Sequence, residues 1–284
     1  MYGKDLGIEN ITFDVMPGQV FGFLGPNGSG KSTAMRTLLG LISATSGSAS
    51  ILGQNSLKHN PQILQKVGYL PGVFSPYKNM TALNYLLYIS KLRKADCSNR
   101  VYQLANQLDL NLNKHIHDLS KGNRQKVGVI QAFMHRPSVL VLDEPTSGLD
   151  PIIQREFEAI LQESKNEGTA ILLSSHVLSE VEHLADQVAV ISNGKLLLNE
   201  SIKDLKSRSR HEISFTFNSP IDKSRYKALT KVISYQANTL VCEVNSSEKE
   251  LLKLAVADGA LSVETHEPTL DRIFLELLDY EAGL

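Results

Sequence analysis

The chain has 284 residues, 42% of them apolar and 21% charged, with a formal net charge of -1. This suits one large domain plus an appendage, and it supplies no electrostatic field for gathering nucleic acid. No apolar stretch has the length to cross a bilayer and Met1–Asp5 is too polar for a secretory signal, so a soluble, cytosolic chain is expected, any membrane role coming through a partner.

Ile8–Val15 alternates in polarity and reads as a strand closed by a Pro17-Gly18 turn. Val20–Leu24 is a short apolar run leading into a Gly-rich loop, and Ser32–Leu41 has a helical pattern. Ser48–Leu52 and Lys66–Leu70 read as two more strands. From Thr81 the pattern is helical only: Ala82–Leu92, Val101–Leu108 and Lys121–Met134 predict a helical subdomain at about residues 75–135, inserted between strands. Val139–Leu142 has the continuous apolar character of a central parallel strand. Pro151 opens a helix to about Lys165, Ala170–Leu173 reads as a buried strand and Leu178–Leu184 as a short helix. Val188–Ser192 and Leu196–Leu198 flank Asn193-Gly194, a hairpin signal. Lys203–Arg210, charged and Ser-rich, reads as a linker, giving expected domains at 1–205 and 210–284. Beyond it, His211–Phe217, Tyr226–Leu229, Val232–Gln236, Leu240–Val244, Glu248–Ala257 and Leu261–Glu264 predict the order βαββαβ, a small α+β domain of ferredoxin-like type. A last amphipathic helix is expected from Thr269 to Leu278. Cys97 and Cys242 stand at no metal or redox spacing, and His211 and His266 have no partners at ligand spacing.

Three segments carry chemistry. Gly25-Pro26-Asn27-Gly28-Ser29-Gly30-Lys31-Ser32-Thr33 matches GxxxxGKS between a strand and a helix, the context a phosphate-cradling loop needs, so ATP binding and hydrolysis are expected. Gly25 and Gly30 are expected to take backbone angles that bulkier residues resist, turning amides toward phosphate oxygens. The following helix adds its positive N-terminal dipole, Lys31 reaches the β- and γ-phosphates, and the Ser32 hydroxyl holds Mg²⁺. Val139–Leu142 then delivers Asp143 and Glu144 to the carboxyl end of a strand, where ligands bind in open α/β sheets. Asp143 is assigned to the metal, and Glu144 to the general base that polarises the attacking water. His176, in Ser174-Ser175-His176 after another buried strand, could donate to the γ-phosphate.

In this order the segments resemble the nucleotide-binding subunit of an ABC transporter, over residues 1 to about 205. Leu119-Ser120-Lys121-Gly122-Asn123-Arg124-Gln125 resembles the family's signature motif, Ser147-Gly148-Leu149-Asp150 its D-loop, and His176 its switch histidine; Tyr2 matches the aromatic that stacks on adenine. Tyr69–Gly72, Ser174–Glu182 and the tail around Glu267–Leu270 look most like ATPases that serve ABC-2-type permeases. The resemblance implies a P-loop fold of ABC ATPase type, ATP and Mg²⁺ as ligands, and an integral membrane permease as partner at the inner face of the cell membrane. It also implies a second ATP-binding subunit, in a homodimer or heterodimer, with Ser120 and the Gly122 amide acting in trans and Asp150 at the shared site. Gly72 stands where the family usually has Gln or Glu, and Lys121 and Asn123 replace the usual Gly and Gln. Val73–Tyr77 suits either a groove for the permease or packing against the helical subdomain. Two other readings share the motifs: a soluble ABC-type ATPase acting on ribosomes or DNA, and, motivated by Gly72, an ATP-binding regulator with little turnover.

Overall fold

The computed structural model describes residues 7–58, 60–208, 212–243 and 248–266. Tyr2, His211, the Glu267–Leu270 phrase and the expected helix Thr269–Leu278 lie outside the described residues. Two compact units meet in sequence after residue 201, and each is described by itself.

In chain order the first unit contains β1 (Val20–Leu24), α1 (Lys31–Leu38), the hairpin β2 (Ser50–Ile51) and β3 (Gln54–Asn55), α2 (Pro61–Gln65), β4 (Val67–Leu70), α3 (Ala82–Leu92), α4 (Ser98–Gln107), α5 (Lys121–Phe133), β5 (Val139–Asp143), α6 (Pro151–Asn166), β6 (Ala170–Ser175), α7 (Leu178–Leu184), β7 (Gln187–Ser192) and β8 (Lys195–Ser201). Six strands form one sheet in the order β4-β5-β6-β1-β7-β8. All neighbouring pairs are parallel except β7–β8, joined by the Asn193-Gly194 turn with φ of 47° and 76°. Positive φ at both turn residues matches the right-handed twist of the flanking strands. β1 is buried along its whole length, as a strand covered on both faces must be. Phe21, Phe23, Val141, Leu172, Ala189 and Ile191 pack there with Met35 of α1 and Leu39 at its C-cap. The carboxyl ends of β1, β5 and β6 therefore open on the same edge of the sheet, where the sequence places its chemistry.

Two local expectations need correction. Ile8–Val15 is not a strand: Glu9 bridges Lys195, then Asn10 at φ 53° takes the backbone out of the ladder. Its alternation still holds, with Ile11, Phe13 and Val15 turned onto the core and the Phe13 ring 4.7 Å from that of Phe23. The segment read as a linker is largely a helix, α8 (Ile202–Arg208), because Ile202 and Leu205 share a buried face while the charged residues between them stay outside. The structure adds the short helix α2, which Asn60 caps by accepting hydrogen bonds from Gln62 N and Ile63 N while Pro61 fills the first position.

After α8, the second unit contains β9 (Glu212–Phe217), α9 (Lys223–Lys227), β10 (Val232–Gln236), β11 (Thr239–Glu243), α10 (Glu248–Ala257) and β12 (Ala260–His266). Its four strands run β10-β11-β9-β12, every neighbour antiparallel. Ile213, Phe215, Phe217, Leu240 and Cys242 pack from one face of this sheet against Tyr226, Leu251 and Ala255 of the helices.

Candidate functional site

The loop from Gly25 to Gly30 joins β1 to α1. Gly28 and Gly30 stand at φ 83° and 108°, a region that side-chain-bearing residues rarely enter. Gly25 does not share it: a Cβ there would meet the Ile191 carbonyl oxygen at 2.1 Å, so the position needs glycine for room and not for an unusual angle. Pro26, Asn27 and Gly28 are exposed, and Ser32 and Thr33 half-buried in the first turn of the helix. Lys31 is only 6% exposed, and its Nζ donates to the carbonyls of Gly25 (2.6 Å) and Pro26 (3.2 Å). Burial lowers its pKa, against the opposing pull of Glu144 and Asp143.

Both acidic residues lie beside this loop. Asp143, 1% exposed, accepts from Ser174 Oγ at 2.6 Å on Oδ1 and from Gly72 N at 3.3 Å on Oδ2. Glu144 follows at φ 52°, a left-handed conformation that costs a non-glycine residue about 1–3 kcal/mol and persists only where its surroundings hold it. Here its amide donates to Ser174 O and Oγ, at 3.2 and 3.1 Å. The twist sends the carboxylate over the loop: Oε2 contacts His176 Nδ1 at 2.7 Å, and Oε1 is 3.8 Å from Lys31 Nζ. Ser29 Oγ and Glu144 Oε1 are buried and make no hydrogen bond among the described residues, Oε1 being held by its ion pair with Lys31.

Ser120 caps α5, its Oγ accepting from Asn123 N at 3.2 Å. Gly122 packs so closely on the 147–150 segment that a Cβ would meet Gly148 O at 2.5 Å. Gln125 ties α5 to the acidic strand, donating to Glu144 O and Pro145 O at 3.3 and 2.9 Å. Asp150 caps α6, accepting from Ile152 N and Ile153 N at 3.1 Å each. Lys31, Asp143, Glu144 and His176 thus come together, whereas Ser120 and Asp150 hold the starts of their own helices. Sequence reasoning missed Ser174, Gly72 as an amide donor, and Glu180, whose carboxylate takes hydroxyl bonds from Ser175 and Thr146. The period-two alternation of β6 was a usable signal for Ser174, because it puts that side chain on a different face from Ser175.

A phosphate loop at the carboxyl edge of a mostly parallel sheet, with a buried lysine and an acidic pair beside it, defines a P-loop nucleoside triphosphatase. A family model described as ABC transporter matches residues 8–147. The bacitracin transport ATP-binding protein of Bacillus licheniformis is 33% identical over 98% of this chain and 94% of its own length. The lantibiotic transport ATP-binding protein SrtF of Streptococcus pyogenes is 37% identical over 70% of this chain and 86% of its own. A solved ATP-binding subunit of an ABC transporter superposes with a TM-score of 0.68 at 28% identity, covering 73% of this chain and 88% of that one. A dimeric bacterial ABC transporter cassette shares the fold at a TM-score of 0.62 and 19% identity, over 70% of this chain and 93% of its own. The chain belongs to the ATP-binding proteins of ABC transporters: it is the subunit that binds and hydrolyses ATP to power transport. Among the described residues, no helix is long and apolar enough to cross a membrane.

Proposed function

We propose that this chain drives an exporter built on an ABC-2-type permease, with Glu144 as the general base and His176 as its orienting partner. The observation that carries this is the placement of the Glu144 carboxylate beside the phosphate loop, one oxygen on His176 and the other ion-paired with Lys31. ATP lies along Gly25–Thr33, its phosphates cradled by backbone amides and the Lys31 ammonium, and Tyr2 takes the adenine by resemblance. Glu144 draws a proton from water aligned with the γ-phosphate while His176 fixes the carboxylate and faces the phosphate.

Mg²⁺ fits the donors present: Ser32 and Asp143 offer hard oxygens, and Ser29 Oγ, buried with no hydrogen bond among the described residues, leaves polar capacity at the loop. Bound there with the phosphates, it would neutralise charge on the transferring group. Mg²⁺ keeps waters and phosphates as ligands instead of an all-protein cage, so two protein oxygens suit it.

A second ATP-binding subunit, taken as a second copy of this chain, completes each site from outside with Ser120, the Gly122 amide and Asp150. Closure excludes water and hydrolysis reopens the pair. The dimeric neighbour supports this arrangement at the level of fold. The permease docks at Val73–Tyr77, where Val73 and Tyr77 are 81% and 61% exposed, and holds the chain at the cytoplasmic face of the membrane. The relatives named for bacitracin and lantibiotic transport support a role in moving such peptides across the membrane. The antiparallel βαββαβ unit is read as a ferredoxin-like accessory domain. Glu144→Gln keeps the shape and loses the base, so turnover should fall about 10²–10⁴-fold while ATP binding is retained. Wild-type turnover in that variant overturns the assignment.

A further inference from the structure

Glu180 lies on α7, four residues beyond His176, and belongs to none of the segments assigned to nucleotide chemistry. Its Oε2 accepts a hydrogen bond from Ser175 Oγ at 2.5 Å, and its Oε1 accepts one from Thr146 Oγ1. The donors leave different strands. Ser175 ends β6 and immediately precedes His176; Thr146 lies just past β5, two residues after Glu144. Each hydroxyl residue is tied further into its own segment: Ser175 Oγ accepts from Val177 N at 2.9 Å, and the Thr146 carbonyl accepts from Leu149 N at 3.0 Å in the turn toward Asp150. The helix that carries the carboxylate is anchored by Val181, which is fully buried.

His176 needs such support. Its side chain is 51% exposed, and its ring contact is with Glu144, a residue that is itself in a left-handed backbone conformation. A half-exposed imidazole held through one such contact keeps its direction only if the backbone on either side is fixed. The Glu180 carboxylate supplies that fixing through Ser175 and Val177, and through Thr146 it ties the same point to the 146–150 turn. Hydroxyl-to-carboxylate hydrogen bonds are short and roughly twice as strong as neutral ones, so one side chain can hold two segments in register.

We propose that Glu180 is a positioning residue for ATP hydrolysis. It sets His176 against Glu144 and ties the Thr146–Asp150 turn to the same carboxylate, so that the two move as one. This rests on the roles proposed above for Glu144 and His176. Glu180 acts through Ser175 and Thr146 and does not itself touch the phosphate loop.

The test uses the purified full-length chain, with steady-state turnover at saturating Mg-ATP, equilibrium binding of a fluorescent ATP analogue, and melting temperature. Glu180→Ala should lower kcat about 10- to 100-fold, the cost of a small misplacement at a reacting centre, with analogue affinity within about twofold of wild type. Thr146→Val, which keeps the shape and loses the donor, should lower kcat in the same direction. Because both changes break one link, the double variant should be no slower than Glu180→Ala alone. A melting-temperature loss with unchanged kcat overturns the proposal, as do fully multiplicative effects in the double variant. Should Glu180→Ala fail to fold, normal kcat in Thr146→Val overturns it equally. Glu144→Gln is the control for the reading beneath. If that variant is inactive while the Glu180 and Thr146 variants are normal, the positioning role alone fails; if it turns over like wild type, the catalytic assignment fails first.

Discussion

Ser174→Ala is a small change at a point where two assignments meet. The hydroxyl donates to Asp143 Oδ1 at 2.6 Å and accepts from Glu144 N at 3.1 Å, and Ser174 is fully buried. Removing it leaves the Glu144 amide with the Ser174 carbonyl at 3.2 Å, so the backbone at 144 survives. Asp143 loses its shorter hydrogen bond and retains the Gly72 amide at 3.3 Å. A hydrogen bond to a charged group contributes about 1.5–3 kcal/mol, and outer partners of metal-binding groups typically cost about 10- to 100-fold in metal affinity or activity when removed. The loss should appear in the Mg²⁺ requirement: the free Mg²⁺ that half-activates hydrolysis should rise about 10-fold, with a smaller change in rate at saturating Mg²⁺. The assay is ATP turnover against free Mg²⁺, at ATP concentrations saturating for both proteins. An unchanged activation curve refutes the claim that Ser174 orients Asp143 for the metal. A collapse of rate at saturating Mg²⁺ with unchanged half-activation would put the defect at Glu144 instead.

Gly72→Gln restores the side chain usual in the family, yet a Cβ at 72 would lie 3.0 Å from Asp143 Oδ2, closer than most Cβ contacts, so one of the two must give by a few tenths of an ångström. Either movement lengthens the Gly72 amide bond to Asp143, so turnover should fall about 2- to 10-fold, the net worth of one hydrogen bond; a rise would refute this. His135 carries a pH dependence. Burial first, and then the Arg93 cation, hold its pKa down to about 4, against the pull of the Val67 carbonyl. The unfolded chain protonates this ring near 6.5, so between the two values it binds more protons and stability falls as pH drops from about 6.5 toward 4. Full expression would be about 3 kcal/mol, and partial solvent exposure of the ring reduces it to about 1–2 kcal/mol. The fall in urea midpoint from pH 7.5 to 5 should therefore be smaller in His135→Gln than in wild type; equal falls would refute the assignment.

What could be read in advance was local. The phosphate loop and the Val139–Asp143 strand each carry their signal within a few adjacent residues. The structure brings Lys31, Glu144 and His176 together because their three strands are neighbours in one parallel sheet. Links between segments had no such signal: Ser174 meets Asp143 from 31 residues away, and Thr146 meets Glu180 from 34. The alternation of Ile8–Val15 identified which side chains turn inward but could not show that Asn10 leaves the ladder. The buried pair Ile202 and Leu205 gives too weak a period to overcome the charged, Ser-rich composition of α8. Gly25 illustrates a different limit, because a glycine required for room and one required for its angle look identical in sequence.

Mixing two damaged proteins tests the proposed two-chain ATP site most directly. Lys31→Ala disables the phosphate loop and Ser120→Arg blocks the signature, so each alone should show little turnover. In a head-to-tail dimer of copies, an equal mixture should recover roughly a quarter of wild-type turnover, because half the dimers are mixed and each of those holds one undamaged site of two. If Ser120 serves its own chain's ATP, every site in the mixture carries a lesion. Turnover no higher than that of either variant alone would contradict the account.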